Sequence, residues 1–307
     1  MAQYVFWRLV QAAVAIFGVM TIVFVIMRLA GDPTLLLVPE GASREHIESL
    51  RHELGFDRPI ATQYASYLAD VLRLDFGQSV VQRVPAVSIL ESRLPYTLAL
   101  AAGALALALL VGIPAGIAMA VWRGRFIERV LATVVISGQS MPTFLSGILL
   151  ILVFGVLLGW LPTSGSGSVA SLILPSVALG ALSMATFARM SRIAVIDELS
   201  KDYVRAAFAR GLSPGAVVAR HVLRNAAVPV VTIAALEIGN LLAGAVIVET
   251  VFAWPGIGQL AIQSIQSRDF VVVQVVVLFV SVVYVAMSLL ADFAYALLDP
   301  RIRLHGA

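Results

Sequence analysis

The chain of 307 residues contains no cysteine, which excludes disulfides, thiolate metal ligands and a thiol nucleophile. Lysine is nearly absent too: Lys201 stands alone, and Ser200 precedes it. The phosphate-cradling pattern G-x-x-x-x-G-K-[ST] therefore occurs nowhere, and any ATP that drives this protein must be bound by another chain. Charge of either sign is thin. Charged residues make up 13% of the chain and hydrophobic ones 60%, whereas soluble proteins carry roughly a quarter charged residues. Too little polar surface remains to enclose a soluble core. The net charge of +3 would hint at nucleic acid in a soluble domain, but in a membrane protein an arginine excess reports topology. No nucleic-acid partner is expected. The four histidines (His46, His52, His221 and His305) lack the i, i+3 or i+4 spacing of ligands on one helix face, and no Ser/His/Asp or paired-carboxylate arrangement points to catalysis. Neither a metal site nor an enzyme is expected.

What the chain has instead is long apolar runs. Crossing about 30 Å of hydrocarbon takes about 20 apolar residues in a helix, and six runs qualify, at approximately 9–29, 98–121, 130–158, 172–195, 228–252 and 271–297. The first exceeds the core of a signal peptide and ends in Ala30-Gly31-Asp32-Pro33 without a small-x-small cleavage pattern, so an uncleaved membrane helix is expected. Pro142 interrupts the third run, where a kink or break is expected. Arginine placement gives the orientation. Segments around Arg8, 123–129, 189–224 and 301–303 hold thirteen of the 21 Lys and Arg residues, whereas 31–95 holds six Arg against nine acids. Both termini are thus expected in the cytoplasm, with 31–95 outside.

That outer stretch reads as ordered. Ser43 offers an N-cap, Glu45 lies in the first turn and Gly55 provides a stop, with Ile47, Leu50 and Leu54 as an apolar stripe between. A second helix is expected from Pro59 to about Leu74, with Ile60, Tyr64, Tyr67, Leu68, Val71 and Leu72 on one face. The pair reads as a small helical cap on the outer membrane surface; a solvated loop is the alternative.

Four features fall inside or beside the apolar runs. Ala104, Ala108, Gly112, Gly116 and Ala120 follow fourfold spacing. Such a stripe lets two helix backbones approach closely, and packing within the bundle is favoured over a dimer contact. Glu237 lies roughly nine residues into the fifth run and shares a helical face with Asn240 and Gly244, with Ala235, Gly239 and Ala243 opposite. An ionisable group at that depth is costly and marks either a translocation path or a structural hydrogen bond. Asp292 and Asp299 read as interfacial or paired with Arg. Pro255-Gly256-x-Gly258 cannot continue a helix, which leaves a gate-lining turn or an ordinary one.

The stretch Asp197–Pro229 is the most informative. Ser200 is read as the cap of an amphipathic helix through Asp202, Tyr203, Arg205, Ala206 and Ala207 to Arg210. Gly211 follows, where a left-handed turn costs little. After Leu212, Ser213 and Pro214 restart a helix as cap and first residue, and it runs through Arg220 and His221 to Asn225 before Pro229 opens the fifth span. A connector needs less. The alternative is a basic loop against lipid headgroups.

Arg205-Ala206-Ala207-x-x-x-Gly211 resembles the "EAA" loop of binding-protein-dependent ABC importer permeases. The fuller pattern has Glu-Ala-Ala, then Gly, then Ile-x-Leu-Pro; here Arg205 replaces the Glu, and His221-Val222-Leu223-Arg224 stands at the end. Both departures resemble the peptide/nickel branch, which Asp202–Ser213 and Arg220–Asn225 fit closely. Other marks are spread along nearly the whole chain. They include Gly31-Asp32-Pro33, Leu54-Gly55-Phe56-Asp57, Leu94-Pro95-x-Thr97, Ser140-Met141-Pro142, Glu249-Thr250-Val251-Phe252-x-x-Pro255-Gly256-x-Gly258 and Leu298-Asp299-Pro300-Arg301. An outer segment directly after the first span resembles the first of the two permease types.

The resemblance implies an all-α, polytopic membrane helix bundle with six transmembrane helices and a small helical extracytoplasmic segment after the first. Its divisions are 1–30 for the first helix, 31–94 for the outer segment, 95–298 for the permease domain with a coupling loop at 197–227, and 299–307 for a cytoplasmic tail. It implies a multi-pass subunit of a bacterial or archaeal plasma membrane that forms the translocation path and hydrolyses no ATP itself. The implied partners are a second homologous permease, two cytoplasmic ABC ATPases that bind the ATP and Mg, and an extracytoplasmic substrate-binding protein. This chain holds no cofactor on that reading. Asp202, Tyr203, Arg205, Ala206, Ala207, Gly211, Leu212, Ser213, Arg220 and His221 would carry ATPase coupling. Beside them, Glu237, Asn240 and Gly244 are the candidates for the path, and Glu249, Pro255, Gly256 and Gly258 for an outer gate or turn. Dipeptides, oligopeptides, glutathione-like molecules and nickel chelates all stay open as cargo. An ion-coupled secondary transporter is the alternative from another class, although paired broken helices of that kind are not visible.

Overall fold

A computed structural model describes residues 2–29, 43–53 and 55–298. Gly31-Asp32-Pro33, Leu54 and the tail 299–307 lie outside the described residues. In chain order the helices are α1 (Ala2–Leu29), α2 (Arg44–Glu53), α3 (Ile60–Leu72), α4 (Ala86–Leu107), α5 (Ile113–Val121), α6 (Phe126–Ser140) and α7 (Thr143–Leu150). Then come α8 (Ile173–Leu199), α9 (Asp202–Ala209), α10 (Pro214–Val217), α11 (Leu223–Val251), α12 (Ile257–Gln266) and α13 (Phe270–Leu298). Wide π-helical turns at Ala108–Gly112 and Val218–Val222 fuse α4 to α5 and α10 to α11. Among the described residues the one strand-like pairing is an isolated bridge between Gln78 and Pro85.

Among the described residues four stretches are long and apolar enough to cross a membrane: Phe6–Leu29, Ala86–Val121, Val169–Leu199 and Phe270–Leu290. The pair α6 and α7 makes a fifth if its 107° bend lies within one span. That bend falls at Met141-Pro142, where the ring of proline forbids a continued helix. Two expected boundaries move. The second run begins at Ala86 and carries Pro95 inside it. The helix expected to stop at Asn225 instead continues without a break through Pro229 to Val251. In a membrane helix, neighbouring groups re-satisfy the carbonyl that proline leaves free, so it need not mark an end.

The chain forms two compact units, residues 1–94 with 260–285 and residues 95–259 with 286–307. In the first, α3 lies on α1. The hydroxyls of Thr21 and Tyr64 are 2.6 Å apart, and the rings of Phe24, Tyr64 and Tyr67 meet edge-on or tilted at 5.1 to 6.4 Å. Gly55 has φ +71° after α2, the left-handed stop its sequence position requires. The loop before α4 is pinned by Asp269, which is 3% exposed: the Ser79 hydroxyl donates to it, and the Val80 and Val81 N–H groups lie at 3.3 and 3.4 Å.

In the second unit α8 is the hub. It threads three packed clusters: one with Leu100, Leu241, Phe252 and Trp254, one around Phe187 with Ala108 and Val230, and one that joins Val195 to Val204, Val217 and Val222. Inside hydrocarbon there is no water to drive such contacts, so close van der Waals fit must hold them. The fourfold stripe supplies it. Ala104, Ala108, Gly112, Gly116 and Ala120 are all buried. A Cβ on Gly112 would stand 2.6 Å from the Met184 carbonyl oxygen and one on Gly116 2.3 Å from that of Ala188. From the other side, Gly180 meets the Ala104 carbonyl oxygen, 2.8 Å from its would-be Cβ. These helices touch backbone to backbone.

The obstruction at Gly116 is main chain, which cannot rotate away. Gly116→Val is expected to cost at least about 1–3 kcal/mol and to lower the thermal midpoint of the purified protein in detergent by several degrees. Gly138, which has nothing within 4 Å of its Cβ position, serves as the control: Gly138→Val should melt like the wild type. Equal midpoints for all three proteins would show that the seam carries no stability.

Candidate functional site: the loop from Glu198 to Asn225

α9 has two unlike sides. Val204 (1% exposed) and Ala207 (8%) pack into the bundle with Val195, Val217, Val222 and Ala226. The other side presents Arg205, Ala206, Phe208 and Arg210 to solvent, followed by Gly211 and Leu212. Arg205 bonds only to its own-turn neighbour Asp202 at 3.3 Å, an exposed pair of little energetic weight.

The helix ends by a left-handed residue. Gly211 has φ +79°, its N–H donates to the Phe208 carbonyl at 2.9 Å, and the Leu212 N–H reaches that of Ala207 at 3.4 Å. This pattern satisfies the last carbonyls of a helix and turns the chain sharply. Ser213 then caps α10, accepting from the Ala216 N–H at 3.4 Å, with Pro214 at the first helical position. Arg220 and His221 are exposed in the π-helical turn beyond. Ser200 departs from its expected role: its hydroxyl donates back to the Asp197 carbonyl at 2.7 Å, and Lys201 holds the cap position of α9 without a side-chain bond there. The chain between α8 and α9 is only a two-residue turn, so Ser200 is still closing the end of α8.

A polar strap ties α9 to the bundle. The Tyr203 hydroxyl donates to Glu198 at the end of α8 (2.6 Å) and accepts from the Asn225 amide at the start of α11 (3.2 Å), while the Lys201 ammonium also pairs with Glu198. Burial, and then the bond to Glu198, push the Tyr203 phenol above its usual value; the same carboxylate raises the Lys201 ammonium. Both groups therefore keep their protons at neutral pH. A second tie joins the turn before α6 to α8. Glu128 accepts from Arg192 Nε and Nη2 at 3.0 and 2.6 Å and from the Gly124 N–H at 2.5 Å.

At the other end of this unit, Glu249 is fully buried. Its carboxylate accepts from the Thr97 hydroxyl at 2.7 Å and the Gln259 N–H at 3.0 Å, and Thr97 in turn accepts from the Ile257 N–H at 2.8 Å. The turn after α11, with Pro255, wraps this carboxylate so closely that a Cβ on Gly256 would lie 2.2 Å from Oε1. Gly258 has the α11 backbone in its way, at 2.5 Å from Val246 Cα. These glycines are there for close approach, not for unusual dihedrals. Glu237 is half-buried and accepts from the Ser183 hydroxyl of α8 at 2.5 Å. Gly244 faces Leu179 of the same helix, and Asn240 is exposed. Glu237 and Gly244 thus lie on the seam with α8, and Asn240 turns away from it.

Residues 112–304 match the family of binding-protein-dependent transport system inner membrane components, and residues 1–101 match the N-terminal region of such membrane components. The chain belongs to this family. The glutathione transport system permease protein GsiC of Escherichia coli (strain K12) is 42% identical over 304 residues, covering 99% of both chains, as is that of Shigella dysenteriae serotype 1. In fold, the chain resembles an inward-facing MetNI methionine ABC transporter chain, with a TM-score of 0.59 at 20% identity over 69% of this chain and 97% of that one. A chain of an amino acid ABC transporter gives 0.52 at 17% identity, over 67% and 92%.

The protein is thus the permease subunit of an ATP-driven, binding-protein-dependent importer, and several groups that tie it together carry little mark in the sequence. Glu198 and the Glu128–Arg192 pair were not singled out, and Thr97 and Asn225 stood only as motif residues with no partner assigned. Glu198 had a local signal in its spacing to Lys201 and Tyr203. The others meet partners 22 to 152 residues away, which no local pattern reveals.

Thr97 both donates and accepts in a buried network, so Thr97→Val should leave Glu249 and the Ile257 N–H short of a partner each. An expected cost of about 1–3 kcal/mol should show as a lower thermal midpoint, with Thr97→Ser close to wild type. A Val variant as stable as the Ser variant would mean that the hydroxyl holds nothing.

Proposed function

We propose that Asp202–Ser213 is the surface through which a cytoplasmic ATPase moves this permease, and that the cargo is a short peptide-like molecule. The observation that carries the first part is the two-sidedness of α9: Val204 and Ala207 anchored in the bundle, Arg205, Phe208 and Leu212 facing out. The glutathione permeases among its relatives support the second, favouring a glutathione-like or short-peptide cargo over a nickel chelate. The full assembly on this reading has a second homologous permease, two ATPases holding ATP and Mg, and an extracytoplasmic binding protein. Six spans, with α11 among them and 31–94 outside, put both termini in the cytoplasm. The arginine distribution supports that orientation.

The mechanism follows from the strap. When the ATPases close on ATP, the paired loops are drawn together. α9 cannot slide on the bundle, because its apolar side and the Tyr203–Glu198–Asn225 bonds lock it to α8 and α11. Displacement therefore passes into α8 as a rigid shift that opens the path outward for the delivered cargo. Hydrolysis releases the loops and resets the bundle, so the work comes from the different affinities of the two states for ATP and cargo. Glu237 and Asn240 would border that path, with Glu249 and the Pro255–Gly258 turn at its outer mouth.

Two measurements test this. Nothing lies within 4 Å of the Cβ position of Gly211, so a side chain there meets backbone strain alone, about 1–2 kcal/mol for a Cβ in the left-handed region and more when branched. Gly211→Val should still insert and fold, its midpoint lowered by no more than that strain, yet lose uptake, and either release its ATPases or uncouple their hydrolysis; Gly167→Val, equally unobstructed, should transport as wild type. Normal uptake by Gly211→Val would remove the loop from the coupling path. For orientation, a Cys at Ser66 should react with an impermeant thiol reagent in intact spheroplasts and one at Ala216 should not. The reverse labelling would overturn the topology.

A further inference from the structure

The first unit contains a cavity of about 570 Å³ that no transport role requires. It starts at the last turn of α1, at Phe24, Met27 and Arg28, and is closed by α3, the loop around Phe76 and the start of α13. Between Arg8 and Arg28 α1 carries no charged residue, so the cavity opens at the end of its apolar stretch. Its volume falls in the usual range for a small-molecule site.

The walls carry both signs of charge. Arg28, Arg58 and Arg268 bring guanidinium groups, and Asp70 and Asp75 bring carboxylates. The Arg28 guanidinium sits over the Phe56 ring at 4.6 Å and the Phe24 ring at 5.2 Å, which fixes its plane. Two residues on the wall each keep a buried oxygen without a hydrogen-bond partner among the described residues. The Tyr67 hydroxyl is buried without a hydrogen bond. Gln63 donates its amide to the carbonyls of Phe56 and Arg58, at 3.1 and 2.7 Å, but its own oxygen accepts nothing. Burial pushes the Tyr67 phenol up to about 12, so it stays a donor. Leaving such a group unmet is costly, and native proteins rarely leave two on one helix face.

We propose that this cavity binds the headgroup of an aminophospholipid from the leaflet that α1 enters. The phosphate would meet the Arg58 and Arg268 guanidinium groups and the Tyr67 hydroxyl, the primary ammonium would meet Asp70 and the Gln63 oxygen, and Phe24, Met27 and Phe270 would line the way for the glycerol and the start of the acyl chains. An anionic headgroup without an amine, or a choline headgroup, has no N–H to give Asp70 or the Gln63 oxygen.

The test uses the full-length permease with its ATPases in detergent, titrated with phosphatidylethanolamine, phosphatidylglycerol, phosphatidylcholine or soluble glycerophosphoethanolamine. Thermal midpoint and lipid retained by native mass spectrometry are read together. Phosphatidylethanolamine should be retained at least about tenfold better than the other two lipids and should raise the midpoint. Tyr67→Phe, which keeps the ring, and Arg58→Ala should each weaken that retention several-fold, whereas Arg73→Ala, which removes an exposed charge outside the cavity, should not. Equal retention of the three lipids would overturn the proposal, as would unchanged binding by both cavity variants. Stabilisation by glycerophosphoethanolamine equal to that by the lipid would overturn the membrane as the source.

Discussion

Everything in the second unit depends on how closely α8 can approach the fused helix α4–α5. Gly112, Gly116 and Gly180 put carbonyl groups where side chains would otherwise stand, and that contact fixes α8 with a tolerance of tenths of an ångström. Because α8 is fixed, its two ends are fixed as well. At one end Leu174 and Leu179 meet Leu241, Phe252 and Trp254 beside the buried Glu249 network. At the other, Glu198 receives the Tyr203 hydroxyl and Val195 packs on Val204. A helix held this rigidly can report a push at one end as a displacement at the other, which is what a subunit driven by separate ATPases needs.

The energetics suit a membrane. Apolar burial between helices gains little where lipid tails are the alternative, so the stabilising contacts are close backbone approach and a small number of fully satisfied polar pairs. Glu128–Arg192, Ser183–Glu237, Tyr203–Glu198 and Thr97–Glu249 each bridge two helical segments. The short loop from Glu198 to Asn225 uses the same economy: one left-handed glycine, one serine cap and one proline set its path.

Much of this was legible in the sequence because it was periodic or local. The fourfold stripe of small residues gave the α4–α5 seam, Pro142 gave the break between α6 and α7, and Gly211-Leu212-Ser213-Pro214 gave the turn and restart between α9 and α10. Prolines that neighbours can accommodate were misleading. Pro95 and Pro229 lie inside helices, and sequence alone cannot show that surrounding groups absorb the lost hydrogen bond. Ser200 was misread as a cap because two helix ends are compressed into one turn. The long-range partners were invisible for a simpler reason: a carboxylate such as Glu249 carries no mark of the threonine 152 positions away that it meets.

The account stands or falls on whether the exposed side of α9 is where force enters. Because the chain has no native cysteine, single cysteines at Phe208 and Leu212 can be tested in the assembled transporter with a short thiol-to-amine crosslinker. Both should join to the ATPase subunit, and the yield should change when ATP is added, while a cysteine at Gly167 should give no product. Crosslinking to lipid-exposed neighbours alone, with no ATPase adduct at Phe208 or Leu212 in any nucleotide state, would contradict it.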